Sequence, residues 1–464
     1  MTILHADRLF PADHTTRDIA RWLHASINRV PILSPHGHAN PRWFSKNEPF
    51  LDPAQLFVVP DHYVFRMLYS QGIPLERLGI GSASEQDPRS VWRIFAQHYY
   101  LFRGTPTRLW LDFAFQELFG LDSRLGPANA DEYFDAIAEK LQTPAFRPRA
   151  LFERFQLEVL ATTDSPLDSL ADHAEIRQSA FQGRIIPTFR ADPVVDPDFP
   201  SFAENIVRLG QITRADTGNW QGFLSALRQR REEFKALGCT ATDHGHPTAA
   251  TADLAPGAAD RLFQKIVSGA GEPHERELFR AQMLTEMAAM SLDDGLVMQI
   301  HPGSLRNHNT QLFQRFGRDM GADIPVPTNY VQALRPLLSR FGNESRLSII
   351  LFTLDESTYS RELAPLAGHY PCLRLGPAWW FNDSPEGMMR FREYTTETAG
   401  FYNTVGFNDD TRAFLSIPAR HDVARRVDCS FLARLVAEHR LEEDEALEIA
   451  SDLAYGLARR AYRL

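Results

Sequence analysis

The sequence predicts an α/β fold, namely a (β/α)8 barrel of the TIM type with a large α-helical insertion after its first strand. One observation is a set of eight short runs, rich in Val, Ile, Leu or Phe, that end in small or polar residues, as buried parallel strands do. A second is the helical stretches between most of these runs, for example ERELFRAQMLTEMAAMS, in which apolar residues recur every three or four positions. Strands that alternate with helices in this way are typical of a (β/α)8 barrel.

Each predicted strand ends where an apolar run stops. The runs are VPILSPH at 30–36, LEVLATTD at 157–164, RIIPTFR at 184–190, CTATDHG at 239–245, LVMQIHPG at 296–303, LSIILFTLD at 347–355, CLRLGPA at 372–378 and TVGFNDD at 404–410. The first stops at Ser-Pro-His, the second and sixth at an aspartate, and the third at an arginine. The fourth and fifth stop at a histidine near a glycine, the seventh at Gly-Pro, and the eighth at two aspartates. All eight have the length of a barrel strand.

The spacing of the runs divides the chain into three parts. Residues 1–40 contain an N-terminal segment and the first strand. Residues 41–150 carry helical patterns such as PDHYVFRMLYSQ and RLWLDFAFQELFG without a strong strand, and we interpret them as an α-helical insertion that covers the barrel mouth. Residues 151–464 supply the rest of the barrel and its C-terminal helices.

Composition limits the classes of function. The chain has 464 residues, of which 44% are hydrophobic, so it can bury a large core. A net charge of −10 argues against nucleic acid as a partner. Three scattered cysteines suit a reducing compartment, and neither a signal peptide nor a membrane span is expected. We therefore expect a cytoplasmic protein without a membrane partner, and the apolar C-terminal helices suggest a homo-oligomer.

The chemistry of such a barrel lies at the carboxyl ends of its strands. His36 and His38 end the first run, and residues two apart in a strand point to the same side. Imidazole is a common metal ligand, although two histidines at this spacing also occur by chance on surfaces and in turns. The other strand ends carry Asp164, Arg190, His244, His301, Asp355, Trp379, Trp380, Asp409 and Asp410.

Histidines after the first and fifth strands and an aspartate after the eighth resemble the metal sites of amidohydrolase-type barrels. No lysine ends a strand, so a carbamylated lysine that bridges two metals is not expected, and we predict a single ion.

Asp409 and Asp410 are adjacent and point to opposite sides of a strand, so one is functional while the other packs or caps. His301 is either a ligand or substrate contact, or a strand-end histidine bonded to backbone. His244 and His246 are compatible either with a turn or with a functional site.

Five segments, in order, resemble those of the uronate isomerase family within the amidohydrolase superfamily. They are LATTDSPLDSLADH, IIPTFRAD, MQIHPGSLRNHN, GPAWWFNDSPEGM and VGFNDDTRAFLS, and the resemblance extends from about residue 20 to the C-terminus. The family has a last-strand motif of aspartate, then arginine two residues later, then phenylalanine. On NDDTRAF this motif selects Asp410 and Arg412 and leaves Asp409 where the family usually has threonine.

The resemblance also implies roles for other residues. The metal pair of the family falls on His36 and His38, and the resemblance implies that these two residues and Asp410 hold one divalent metal, which we expect to be Zn²⁺. Its insertion tyrosine and the nearby arginine fall on Tyr63 and Arg66. The family commonly has an aspartate and a cysteine at the positions of Ser34 and Gly37, so the support of the two histidines differs here.

The implied activity is an aldose–ketose isomerase that interconverts D-glucuronate and D-fructuronate, and D-galacturonate and D-tagaturonate, through a cis-enediol. Such chemistry needs a base at C2, stabilisation of charge on O1 and O2, and cations for the carboxylate. Asp410, Tyr63 and Arg412 are the candidate catalytic residues, and Tyr63 acts as a base only where its pKa is lowered. The candidate substrate contacts are Arg66, Arg190, His301, Arg306, Trp379 and Trp380.

Two other functions are compatible with a barrel of this kind. A metal-dependent hydrolase or deaminase would need a base beside a metal-bound water and would not need the arginines. A sugar-acid-binding barrel without catalysis would have lost some of the catalytic positions, whereas Asp410, Tyr63, Arg412 and both histidines are present. The preference between glucuronate and galacturonate does not follow from the sequence.

Overall fold

Parallel strands in chain order form the centre of the fold in the computed structural model, which describes residues 3–81 and 86–464. The strands are β1 (Ile32–Ser34), β2 (Leu157–Ala161), β3 (Arg184–Ile186), β4 (Phe189–Arg190), β5 (Ala241–His244), β6 (Val297–Ile300), β7 (Ser304–Leu305), β8 (Ile324–Pro325), β9 (Ile349–Leu351) and β10 (Leu373–Leu375). Two parallel sheets have the orders β1-β2-β3 and β10-β9-β6-β5-β4, and β7 and β8 form a separate antiparallel pair. The α/β barrel prediction is confirmed.

The two sheets join into a ring through isolated contacts. A parallel bridge between Asp164 and Phe189 connects the end of β2 to β4, and Leu375 of β10 forms a bridge with Thr404. The ring closes where the backbone N–H of His38 donates to the carbonyl of Thr411 at 2.9 Å. The carboxyl ends of all these segments therefore surround one opening, as in other (β/α)8 barrels.

The third and eighth predicted strands are less regular than expected. The third is divided into β3 and β4, and Pro187, which has no N–H to donate, lies between them. The eighth makes only the bridge at Thr404. Gly406 has φ +76° and Asp410 has φ +40°, and both values interrupt an extended strand. A Cβ on Gly406 would lie 2.7 Å from the backbone oxygen of Leu453, so glycine permits this close approach.

The helices cover the ring and fill the segment between β1 and β2. They are α1 (His14–Ile27), α2 (Pro41–Lys46), α3 (Pro53–Phe57), α4 (His62–Tyr69), α5 (Pro88–Gln97), α6 (Pro106–Phe113), α7 (Ala130–Leu141), α8 (Pro148–Arg154), α9 (Ala171–Gln178), α10 (Asp192–Val195), α11 (Phe202–Thr213), α12 (Trp220–Ala236), α13 (Pro256–Val267), α14 (Pro273–Asp294), α15 (Thr310–Phe316), α16 (Arg335–Phe341), α17 (Ala364–Ala367), α18 (Pro385–Ala399), α19 (Ile417–Ala437), α20 (Glu443–Ser451) and α21 (Leu457–Tyr462). Short 3-10 or π segments lie at Leu75–Leu78, Tyr99–Phe102, Ala114–Leu118, Pro127–Asn129, Pro144–Phe146, Tyr359–Leu363, Phe414–Ser416 and Asp452–Gly456. Within the described residues, no helix is both long enough and apolar enough to cross a bilayer.

The predicted insertion, residues 41–150, corresponds to helices α2 to α7 and the start of α8, except that residues 82–85 lie outside the described part. Trp92, Phe95 and Phe115 pack together in its interior. The same apolar cluster includes Ile32 of β1. Because the helical segment shares a core with the barrel, its division from the barrel as a separate domain stays a prediction.

Helix α19 lies close to both the N-terminus and the barrel. It packs against α1 and is buried along nearly its whole length. Arg420 and His421 in its first turns point towards the last segment of the ring, where they bond to Asp383 and Asp409 respectively. The C-terminal helices thus contribute polar side chains to the wall of the opening.

Candidate active site

A cavity of about 400 Å³ opens at the carboxyl ends of the strands. Helix α4 and the loop between β7 and β8 cover it from outside the ring. The predicted site residues that line it are His36, His38, Tyr63, Arg190, His301, Arg306, Trp379, Trp380, Asp410 and Arg412. Arg66 does not line the cavity, and its guanidinium carbon lies 4.9 Å from the ring centre of Phe381 instead. The structure therefore brings together all of the predicted site residues except Arg66.

His36, His38 and Asp410 form a triangle of possible metal ligands. Oδ1 of Asp410 lies 3.4 Å from Nε2 of His36 and 3.1 Å from Nε2 of His38. Ligand atoms on one tetrahedral zinc are about 3.3 Å apart when the bonds are about 2.0 Å. Oδ1 of Asp410 is buried and makes no hydrogen bond within the described residues. Both the spacing and this free oxygen fit one divalent cation.

The two adjacent aspartates have different surroundings. Asp410 faces the cavity, and its Oδ2 accepts a hydrogen bond from the indole N–H of Trp379. Asp409 points away and accepts hydrogen bonds from the hydroxyl of Ser34 at 3.1 Å and from Nε2 of His421 at 3.0 Å. Burial raises the pKa of Asp410. The neighbouring His36 and His38 outweigh this effect and hold the pKa of Asp410 well below its usual range. Asp410 is thus an ionised carboxylate in the cavity, while Asp409 connects two barrel segments to α19.

Tyr63 reaches the cavity from the start of α4. The helix begins there because the side chain of Asp61 accepts a hydrogen bond from the Tyr63 backbone N–H at 2.8 Å. The Tyr63 hydroxyl donates to Oδ1 of Asp383 at 3.1 Å and accepts from the Phe381 N–H at 3.2 Å. Nη1 of Arg420 donates to Oδ2 of the same Asp383 at 2.8 Å.

The electrostatics of this group keep the tyrosine protonated. Burial raises the pKa of Tyr63 well above 10, and the negative charge of Asp383 adds to the effect. Burial also raises the pKa of Asp383, against the opposing charge of Arg420. The lowered pKa that a tyrosine base requires is therefore not found here, and Tyr63 is a proton donor at neutral pH.

Arg190 ends β4 and belongs to a buried network of charges. Its Nε donates to Oδ2 of Asp192 at 2.9 Å, and its Nη1 lies 3.3 Å from Oδ2 of Asp243. Oδ1 of Asp243 lies 2.7 Å from Nε2 of His301, although the two atoms are not aligned for a hydrogen bond. Burial raises the pKa of Asp243, but the charges of His301, His36 and Arg190 outweigh it and hold this pKa well below its usual value. The guanidinium of Arg190 is thus fixed at the cavity wall.

Two more arginines contact the loop between β7 and β8. Nη1 of Arg306 donates to Oδ2 of Asp323 at 3.0 Å, and Nη2 of Arg412 lies 3.7 Å from Oδ1 of Asp319. Both aspartates line the cavity as well. The loop therefore carries carboxylates that balance the arginines of the cavity wall.

The two tryptophans form part of the cavity wall. The ring of Trp379 lies 5.0 Å from that of His301, and Trp380 stacks on Phe381 with ring centres 5.1 Å apart. His301 lies between Trp379 and His36, whose ring centre is 6.2 Å away. Aromatic surfaces therefore enclose the side of the cavity next to the metal triangle.

Sequence reasoning missed Asp383 and Arg420. Asp383 belongs to the segment GPAWWFNDSPEGM, two residues after the aromatic run, so a search for carboxylates in that segment finds it. Arg420 is 4% exposed in the interior of a helix, and no motif distinguishes it from the many surface arginines. Among the histidines left open, His244 and His246 do not line the cavity but lie buried behind Asp192.

Comparisons with known proteins agree with this site. A family model described as glucuronate isomerase matches residues 10–462. A uronate isomerase from Rhizorhabdus wittichii is 66% identical over 461 residues, which are 99% of this chain and 98% of that protein. The crystal structure of glucuronate isomerase from Caulobacter crescentus is 60% identical and covers 99% of this chain and 97% of its own, with a TM-score of 0.98. The crystal structure of uronate isomerase from Thermotoga maritima is 27% identical with a TM-score of 0.93, and the two chains cover each other fully, at 100% each.

Proposed function

Because the chain belongs to the glucuronate isomerase family and is an aldose–ketose isomerase of uronates, we propose that it converts D-glucuronate to D-fructuronate and D-galacturonate to D-tagaturonate in this cavity, through a cis-enediol. The observation that carries the proposal is the convergence of Asp410, the Tyr63 hydroxyl and three arginines on one cavity. A hydrolase or deaminase of the amidohydrolase superfamily is not favoured, since the relatives are uronate isomerases over the full length of the chain.

The arginines bind the carboxylate of the sugar acid in this proposal. Arg190 is the best placed, because Asp192 and Asp243 hold its guanidinium while it faces the cavity. A planar guanidinium recognises a carboxylate through two parallel hydrogen bonds. Arg306 and Arg412 exchange their contacts with the β7–β8 loop for contacts with the substrate hydroxyls.

Asp410 moves the carbon-bound proton. Its carboxylate is ionised and has lone pairs that no group of the described chain uses, so it can take the proton from C2 and return it to C1 of the enediol. One base on one face of a cis-enediol is enough for this transfer. The walls formed by Trp379 and His301 keep bulk water from the proton during the exchange.

Tyr63 moves the proton between the two oxygens. The hydroxyl has a single proton, which it turns from Asp383 towards the developing charge on O1 or O2 when substrate is bound, and it recovers a proton from the other oxygen as the enediol collapses. Asp383 accepts the hydrogen bond from this hydroxyl and orients it, and Arg420 balances the negative charge of Asp383.

His36, His38 and Asp410 would hold one divalent cation, and we propose zinc because two imidazoles and a carboxylate are donors that zinc prefers. When bound, the ion would act as a Lewis acid that orients and polarises sugar oxygens. Removal of the metal with a chelator, followed by assays with and without added Zn²⁺, tests this part. Full activity of the metal-free chain contradicts it and makes both histidines substrate contacts.

The cellular context is proposed on more general grounds. Cys239, Cys372 and Cys429 are all free and buried, which suits a cytoplasmic location. The net charge of −10 supports a function without nucleic acid. We also propose a homo-oligomer, and light scattering on the purified chain measures its mass directly.

The main experiment uses proton NMR in deuterated water with D-glucuronate and with D-galacturonate. Ketouronate signals support the isomerase reaction, the fraction of deuterium at C1 reports how far the base exchanges its proton with solvent, and the two initial rates give the substrate preference. The Asp410→Asn variant loses the reaction, whereas Asp409→Asn, whose carboxylate faces away from the cavity, retains it. Wild-type turnover by Asp410→Asn contradicts the role of Asp410 as the base.

A further inference from the structure

Asp192, His244 and His246 form a second cluster of possible ligands, separate from the cavity triangle. One ligand atom from each lies within 4.8 Å of the other two. Their exposed fractions are 6%, 0% and 2%, so the cluster is shielded from solvent. His244 ends β5 and His246 follows it, while Asp192 follows β4 and begins α10. The cluster shares no residue with His36, His38 or Asp410.

Each imidazole of this cluster has at least one nitrogen without a hydrogen-bond partner in the described part of the chain. Neither nitrogen of His246 and not Nδ1 of His244 makes a hydrogen bond to any described part of the chain. Nε2 of His244 is bonded to the hydroxyl of Thr242 at 3.1 Å, which leaves Nδ1 as its free nitrogen. A buried polar atom without a partner costs about 1–3 kcal/mol, so an unpartnered nitrogen on each of two neighbouring rings calls for a ligand that binds both imidazoles.

The charges around the cluster favour a cation. Burial lowers the pKa of His244 to about 3 and also lowers that of His246, so both rings are neutral and have lone pairs to donate. The carboxylates of Asp192, Asp196 and Glu277 all favour positive charge at His246, whereas the guanidinium of Arg280 opposes it. Carboxylates thus outnumber the opposing guanidinium around a pair of neutral imidazoles.

We propose that Asp192, His244 and His246 bind a second divalent cation of the zinc type. Two imidazole nitrogens and one carboxylate oxygen are a usual donor set for zinc, with water as the fourth ligand. Arg190 and the Gly245 N–H already bond to Asp192, but a carboxylate has about four lone-pair positions and can accept a metal as well. Tetrahedral ligation places ligand atoms about 3.3 Å apart, and those of the three residues all lie within 4.8 Å of one another.

The ion acts as a positioning element for Arg190. Arg190 lines the cavity and donates a hydrogen bond to Asp192. The bound cation would hold the Asp192 carboxylate in place and so orient Arg190. The loop after β5 is closely packed here, since a Cβ on Gly245 would lie 3.0 Å from Oδ2 of Asp192 and 2.6 Å from Nη2 of Arg190. Loss of the ion therefore changes the position of Arg190 rather than the chemistry at Asp410.

The test is the zinc content per chain after dialysis against Zn²⁺, measured by plasma mass spectrometry on chain first stripped with a chelator. We compare the wild type, His246→Gln, and the exposed control His274→Gln. His246→Gln is expected to bind one zinc fewer than the wild type, and the control is expected to match it. Because the test is the difference between chains, it does not depend on whether the cavity triangle binds metal. Equal zinc content in His246→Gln and the wild type overturns the proposal.

A second measurement covers the case in which His246→Gln misfolds. The chain with His36→Gln and His38→Gln lacks the cavity histidines, and Zn²⁺ alone is expected to raise its melting temperature. Adding His244→Gln to that chain removes the rise. A double variant whose zinc content is zero and whose melting temperature is insensitive to Zn²⁺ contradicts the second site.

Discussion

The hydroxyl of Tyr63 donates a hydrogen bond of 3.1 Å to Oδ1 of Asp383, a residue 320 positions further along the chain. The other oxygen of Asp383 accepts a hydrogen bond from Arg420. The guanidinium of Arg420 lies 3.6 Å from the ring centre of Trp110, so aromatic surface as well as charge holds it in place. A tyrosine, a carboxylate and a guanidinium from three distant segments therefore form one unit beside the cavity.

If these residues act as a unit, their substitutions are not additive. Tyr63→Phe removes the hydroxyl, and Asp383→Asn removes the charge that orients it. We expect each to lower kcat about a hundredfold with little change in KM, and we expect the double variant to be no worse than either single one. Steady-state kinetics on the three chains measures this.

Tyr330→Phe is the matched control for that unit. Tyr330 is fully buried and its hydroxyl donates to the carbonyl of Phe352 at 2.8 Å, away from the cavity lining. This substitution is expected to lower stability and leave kcat within about twofold of the wild type. If the losses in kcat caused by Tyr63→Phe and Asp383→Asn multiply in the double variant, the two residues act separately.

The two adjacent aspartates give opposite predictions. Asp410→Asn removes a charged ligand and the proposed base, so kcat and bound metal both fall strongly. Asp409→Asn leaves the cavity unchanged but weakens the bonds to Ser34 and His421, and we expect a loss of about 1–3 kcal/mol in the free energy of unfolding. Metal analysis and urea unfolding distinguish the two. A loss of metal from Asp409→Asn alone would contradict this division of roles.

The bond between Ser34 and Asp409 explains a departure from the family pattern. The family resemblance places an acid at position 34 and a threonine at position 409, whereas this chain has a hydroxyl and an acid in exchanged positions, 3.1 Å apart. Ser34→Asp alone puts two buried carboxylates together, and Asp409→Thr alone leaves His421 without its anion. We expect the double variant to be more stable than the sum of both changes predicts, by about 0.5–3 kcal/mol. Unfolding measurements on the wild type, the two single variants and the double variant give this coupling. Changes in the free energy of unfolding that simply add would contradict the proposed compensation between positions 34 and 409.

Strand ends were predictable because their signal is local. An apolar run followed by polar residues marks the point where a buried strand meets the opening, and this marks His36, Arg190 and His301. Strand alternation alone did not predict which of the two aspartates faces the cavity; the family motif selected Asp410, whose backbone has a positive φ. The irregular course of the eighth segment likewise follows from packing of Gly406 against a helix near the C-terminus.

Contacts between distant segments explain what the sequence did not reveal. Arg420 lies within a helix that carries several other arginines, and only the approach of that helix to the barrel places it beside Asp383. Arg66 shows the opposite case, because the family pattern assigns it to the substrate while its guanidinium packs on Phe381 and Tyr63. Its role in binding stays a prediction.

Arg190 tests recognition of the carboxylate. Arg190→Lys keeps one positive charge but cannot bond to Asp192 and Asp243 while it presents a planar pair of donors to the substrate. We expect KM to rise about tenfold or more, with a smaller change in kcat. Arg208→Lys, at an arginine that donates to the carbonyl of Leu167 and does not line the cavity, is the control and leaves KM unchanged. An unchanged KM in Arg190→Lys would move the carboxylate site to Arg306 or Arg412.

Asp164 makes stability depend on pH. Burial raises its pKa from 3.8 to about 7, although Thr162 donates a hydrogen bond to its Oδ2 at 2.6 Å. The folded chain therefore holds a proton here that the unfolded chain releases near pH 4, so stability is complete below pH 4 and is lost as the pH rises to about 7. Relative to Asp164→Asn, the free energy of unfolding of the wild type is expected to fall by about 1.4 kcal/mol per pH unit between pH 5 and 6 and to level off above pH 7. Urea unfolding of both chains from pH 5 to 8 measures the difference, in which the other groups cancel. A difference that is constant, or that rises with pH, would mean that Asp164 is ionised throughout this range.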